Sequence, residues 1–78
     1  MPSTEVEITA DTDILSVLVA TGLCASRGEG RRLIEQGGIS INDAKVTDVY
    51  RKITDDDFAD GDFIIKKGKK IYHRVIKK

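Results

Sequence analysis

Two helices packed on one side of a small antiparallel sheet, an α+β domain, is the architecture this sequence predicts. Two segments with apolar residues at helical spacing come first, three short β-prone runs follow, and glycine- or Asx-containing turns punctuate the joins. The 78 residues suit one compact domain with a small core.

Residues 1–10, MPSTEVEITA, are polar and turn-free and read as a linker or tail; a weak alternation from Glu5 to Thr9 leaves a short strand open. The domain proper is then expected over residues 11–78. Asp11 or Thr12 offers an N-cap for a first helix over residues 12–21, with Asp13 at the positive end of its dipole. Ile14, Leu15, Leu18 and Thr21 fall at helical spacing, and Gly22 suits the left-handed position that closes a helix. After a short apolar connection, Ser26-Arg27-Gly28-Glu29 has capping-box spacing and opens a second helix. That helix buries Gly30, Leu33 and Ile34 and ends at Gly37-Gly38. A mid-helix glycine costs about 1 kcal/mol relative to alanine, so Gly30 marks a close approach, most simply by the first helix.

Ile39-Ser40-Ile41 alternates as a strand, Asn42-Asp43 is a turn, and Lys45-Val46 begins the return. Residues 47–62 read as an irregular acidic connection ending in the turn Asp60-Gly61-Asp62. Phe63 to Lys66 and Ile71 to Ile76 form a hairpin around Gly68.

Formal net charge is zero, with 13 basic and 13 acidic side chains, but the signs are segregated. Residues 1–24 hold four acids and no base. Residues 63–78 hold Lys66, Lys67, Lys69, Lys70, Arg74, Lys77 and Lys78 and no acid. Between them, Arg27, Arg31 and Arg32 cluster on the second helix. Seven cations crowded into one hairpin without compensation repel one another, which points to a polyanionic partner. The longest apolar run, Val17 to Ala20, is far below the roughly 20 residues that span a bilayer, so no membrane partner is expected. With one cysteine, Cys24, an internal disulfide is ruled out, and a reducing, cytoplasmic setting is the expectation.

Catalysis finds little material. His73 is the one histidine and reads as an ordinary half-exposed strand residue without a partner for general-base work. Ser26 is accounted for as an N-cap, with no triad to assemble around it. Cys24, between Leu23 and Ala25, reads as a small buried apolar residue. Gly28-x-Gly30 lacks the third glycine and the preceding strand of a dinucleotide fingerprint, and the acidic run from Asp56 to Lys67 lacks the ligands of a calcium loop. No catalytic residue, metal or cofactor is expected. What remains is the basic surface. Arginine forks near a helix N-terminus suit phosphate oxygens and stack on unpaired bases, while pairing of Arg31 with Glu35 at i, i+4 is the alternative use of the same face.

The run Thr21-Gly22-Leu23-Cys24-Ala25-Ser26-Arg27-Gly28-Glu29-Gly30-Arg31-Arg32, followed by Leu33, Ile34, Gly37-Gly38 and Ile39-Ser40-Ile41-Asn42, resembles the alpha-L RNA-binding motif of the ribosomal protein S-four type. Together with Asp60-Gly61-x-Phe63 and Gly68-Lys69-Lys70-x-Tyr72, it is similar to the C-terminal domain of bacterial tyrosyl-tRNA synthetases. Departures from the motif are Asp13-Ile14-Leu15 in place of Arg-Leu-Asp, Gly30 in place of alanine, Asp43 in place of the turn glycine, and Glu35 where many members carry a base. The resemblance implies a non-catalytic appendage of an ATP-dependent tyrosine–tRNA ligase that grips the long variable arm and anticodon stem of tyrosine tRNA. By position it implies RNA contacts at Ser26, Arg27, Arg31, Arg32, Gln36 and Lys45, while charge adds Lys66, Lys67, Lys69 and Lys70. The expected partners are that tRNA and the catalytic domain of the parent chain, with the fragment itself monomeric. An accessory domain of an rRNA modification enzyme, a ribosome-associated factor, or a basic protein-interaction domain are the competing expectations.

Overall fold

The computed structural model describes residues 2–58 and 61–78. Their elements run β1 (Ser3–Val6), α1 (Ile14–Ala20), α2 (Arg27–Glu35), β2 (Ile39–Ile41), β3 (Ala44–Lys45), a 3-10 turn (Asp55–Asp57), β4 (Asp62–Lys67) and β5 (Ile71–Lys77). The five strands form one sheet in the order β1-β5-β4-β2-β3. The two helices pack on one of its faces, as expected, but the sheet is mixed because β1 runs parallel to β5.

β1 corrects the expectation of a linker or tail at residues 1–10. Ser3 to Val6 register against Arg74 to Lys77, and Val6 is buried. Four residues with weak alternation carry little local signal; what orders them is the free edge of β5. The first helix starts two residues later than expected, with Asp13 rather than Asp11 or Thr12 as its cap, accepting from the Ser16 amide at 2.8 Å. The residues before it are needed elsewhere. Thr12 receives the Ile53 amide, Ile14 donates to the Arg51 carbonyl, and Asp13 bridges Lys52, so this stretch is extended and cannot join the helix.

β2 and β3 are joined by the two-residue loop Asn42-Asp43, both residues at positive φ (49° and 70°), as a right-twisted hairpin of this length requires. The 47–62 connection is less irregular than its sequence suggests. Ile53 and Phe58 are buried, with the Phe58 ring edge-on to Phe63 at 4.8 Å, and Arg51 pairs with Asp57. Of the expected turn at Asp60-Gly61-Asp62, Asp60 lies outside the described residues, and Gly61 has φ +86°.

The core is the helix-side face of the sheet: Ile39, Ile41, Phe63, Ile65 and Val75 against Ile14, Leu15, Val17, Leu18 and Ile34. His73 belongs to this layer too, which corrects its expected half-exposure. It is 5 % exposed, and its Nε2 is 2.8 Å from the Thr4 hydroxyl on β1. Burial lowers its pKa below the usual imidazole value. Cys24 is buried as expected, and burial pushes its thiol pKa up.

Candidate nucleic-acid interface

Helix α2 is positioned from both ends. The Ser26 hydroxyl accepts from the Glu29 amide at 3.3 Å, while the Glu29 carboxylate reaches back to the Ala25 amide rather than to Ser26 itself. Gly30 lies against α1: a Cβ there would stand 3.2 Å from methyl carbons of Leu15 and Leu18, which is the close approach its presence implied. The polar face therefore turns outward, with Arg27, Arg31 and Arg32 all exposed.

The three arginines differ in their commitments. Arg27 donates to Asp13 at 2.7 Å and to the Ser16 hydroxyl at 2.8 Å, tying the first turns of the two helices together. This hydrogen bond, helped by the Ser16 amide, holds the Asp13 carboxyl at about 2, and the Arg27 pKa rises in return. Arg27 nonetheless keeps 55 % of its side chain in solvent. Arg31 meets Glu35 at 3.4 Å with both side chains about 60 % exposed. Such an exposed i, i+4 pair contributes about 0.3–0.5 kcal/mol and yields readily to a phosphate. Arg32 makes no ion pair among the described residues.

The β4–β5 hairpin joins this surface. The Lys67 ammonium donates to the Leu23 carbonyl just before α2 at 2.6 Å, and the Gly68 amide donates to the Gly38 carbonyl just after α2 at 2.7 Å. The hairpin tip is thus fastened to both ends of the α2 segment. Lys69 and Lys70 sit exposed on that tip, and neither makes an ion pair or side-chain hydrogen bond among the described residues. Gln36, the C-cap of α2, is exposed beside Gly37. Gly37 has φ +75°, and a Cβ on it would stand 3.0 Å from the Lys45 ammonium, so Lys45 lies across the end of α2. Lys66 points to the other side of the sheet, its ammonium 5.6 Å from the Tyr72 ring centroid.

The premise of seven uncompensated cations needs correction. Lys67 is spent on a carbonyl, Arg74 pairs with Asp62, and Lys77 meets Asp55 at 2.6 Å. The structure ties the hairpin tip that carries Lys69 and Lys70 to the segments flanking α2, and lays Lys45 across the end of that helix. Ser26, Arg27, Arg31, Arg32 and Gln36 are carried by α2 and its caps. Tyr72 was missed as a surface residue. The alternation of β5, which sends His73 inward and Tyr72 outward, is the signal that would have found it. Among the described residues, no three His, Cys, Asp or Glu side chains gather where they could hold a metal ion, and no helix is long and apolar enough to cross a membrane.

Residues 1–75 match the family described as the tyrosine–tRNA ligase SYY-like C-terminal domain. The chain belongs to this family. It is 56% identical over 78 residues to the tyrosine–tRNA ligase of Acetivibrio thermocellus, covering 96% of this chain and 19% of that protein. It is 51% identical over 63 residues to the ligase of Clostridium tetani (81% of this chain, 16% of that protein), and 53% identical over 62 residues to that of Clostridium beijerinckii (80% and 15%). The chain spans no more than a fifth of the length of these relatives. The match includes residues 1–10, in keeping with a first strand that belongs to the sheet.

Proposed function

We propose that this chain is the RNA-binding appendage of a tyrosine–tRNA ligase, an alpha-L type module that grips the long variable arm and anticodon stem of tyrosine tRNA. The observation that carries the reading is the fastening of the Lys67–Gly68 hairpin tip to both ends of α2, which merges two basic segments into one surface. Arg31, Arg32, Lys45, Lys69 and Lys70 meet phosphates directly, and Gln36 adds a neutral hydrogen-bonding group. Arg27 and Ser26 first hold the helix in place, so their part in binding is more positional than that of Arg31 and Arg32. Lys67 acts in the same way, fixing the tip by its bond to Leu23. The appendage does no chemistry of its own; the parent chain's catalytic domain, which would use ATP, is its covalent partner in the cytoplasm.

Titration with tyrosine tRNA, and with the same tRNA lacking its long variable arm, tests this. Tighter binding of the intact tRNA is expected, with affinity falling as salt rises by roughly 0.7–0.9 log units per log unit for each phosphate neutralised. Equal affinity for both RNAs would exclude the variable arm as the target, and binding indifferent to salt would exclude a nucleic-acid partner altogether.

A further inference from the structure

The sheet face turned away from the helices carries a groove of about 520 Å³ lined by Asn42, Asp43, Ile64, Lys66 and Tyr72. Resting on the RNA-binding reading above, we propose that this groove is a nucleobase subsite in which the Tyr72 ring stacks one unpaired base of the bound RNA.

The strand register sets the arrangement. Lys45 lies opposite Ser40, Ser40 opposite Lys66, and Lys66 opposite Tyr72, so these four form one row across β3, β2, β4 and β5. Lys45 also lies across the end of α2, so the row starts in the basic end of the molecule and finishes on an aromatic ring. A strand of RNA leaving that end would find cations first and the ring next, the combination that single-strand binding surfaces use.

The groove's walls fit a base better than a phosphate. Ile64 supplies an apolar floor, and Tyr72 is 43% exposed near the hairpin tip, at the end of β5 that β1 does not reach. Asp43 puts a carboxylate in the wall, which repels phosphate but accepts from the amino groups on base edges. The Asn42 side-chain oxygen is occupied by the Ile64 amide at 3.1 Å, which leaves its amide N–H groups to donate. The Lys66 ammonium over the Tyr72 ring is no obstacle. An exposed cation–π contact is weaker than stacking of a base on the same ring, so the base displaces it and frees the ammonium for the backbone.

The chain has two tyrosines and no tryptophan, so 3-fluorotyrosine labelling of a Tyr50→Phe chain leaves a single fluorine resonance, on Tyr72. Tyr50 is 73% exposed and tolerates the change. Tyrosine tRNA is expected to shift that resonance, whereas a short blunt RNA duplex, whose bases are already stacked, binds the basic end without shifting it. Tyr72→Leu should weaken tyrosine tRNA binding roughly tenfold, and Tyr72→Phe should stay within about twofold of the native chain. If the tRNA binds while the resonance stays still and Tyr72→Leu binds normally, the subsite is refuted and the RNA-binding reading survives. If no RNA binds at all, the proposed function itself has failed. A resonance that shifts only when the remainder of the ligase is added would instead assign the face to protein docking and overturn the subsite.

Discussion

On the helix side of the sheet, Ile39, Ile41, Phe63, Ile65, His73 and Val75 are sealed from water, whereas Ile64, Lys66, Tyr72, Arg74 and Ile76 of the same strands remain partly or fully exposed on the other side. The period of two in a β-strand lets adjacent residues answer to different demands. The covered face is selected for shape, and its buried polar side chain, His73, is satisfied by Thr4. The open face mixes aliphatic, aromatic and charged groups in a way that contributes little to folding. Stability and recognition are thus interleaved residue by residue rather than divided between regions.

The sharpest test of that contrast compares neighbours on β4. Phe63→Ala should lower the unfolding free energy by about 3–5 kcal/mol in urea titration, leaving a domain of this size barely folded. Ile64→Ala, one residue along, should cost about 1 kcal/mol or less. Similar costs at the two positions would mean that the open face is covered in solution.

Next in size is an effect on binding alone. Replacing both Arg31 and Arg32 with alanine should weaken tyrosine tRNA binding by tenfold or more and reduce the log–log salt slope by about 1.5, with the urea midpoint almost unmoved. Lys77→Ala should leave the affinity as it was, because Lys77 is held by Asp55 at the end of β5 remote from the hairpin tip.

A smaller effect separates the faces by pH. Burial lowers the His73 pKa in the folded chain, so the unfolded chain binds the proton first. The contribution of His73 is fully present above the unfolded value of about 6.5 and is lost as pH falls below it. Melting temperature should therefore drop between pH 7 and pH 5, and His73→Gln should flatten that part of the profile. Thr4→Val should cost about 1 kcal/mol at pH 7 by removing the histidine's partner.

Smallest is Gly30→Ala, whose gain in helix propensity of about 1 kcal/mol is opposed by the two leucine methyl groups at 3.2 Å. A net change within about 1 kcal/mol is expected, while Gly30→Val, which cannot fit between Leu15 and Leu18, should be clearly destabilising.

The stretch from α1 to β3 was legible because each local signal agreed with the next: the Ser26 cap, the small residue at Gly30, the glycine after α2 and the Asn42-Asp43 turn. The misses share another cause. β1 is ordered by β5, and Thr4 meets a histidine 69 residues away. Arg27 finds Asp13 on the other helix, 14 residues back. Ile53 and Phe58 reach the core from a segment with neither helical nor strand period. Lys67, Arg74 and Lys77 looked uncompensated because their partners lie on other elements or in the preceding acidic connection. Periodicity sees neighbours along an element, and these contacts depend on how elements are arranged. For the same reason the basic end could be named residue by residue, but not the way the hairpin tip is tied across α2.

The parallel pairing of β1 with β5 also has a mechanical side. The Arg74 amide donates to the Pro2 carbonyl and the Lys78 amide to the Val6 carbonyl, so hydrogen bonds span the whole length of β1. Tension between the first and last residues of this chain would draw the two strands past each other, straining all of those bonds together instead of peeling them one by one. An outermost strand of four residues would then resist extension more strongly than its small buried area suggests, and the domain would transmit a tug between its ends as a stiff element.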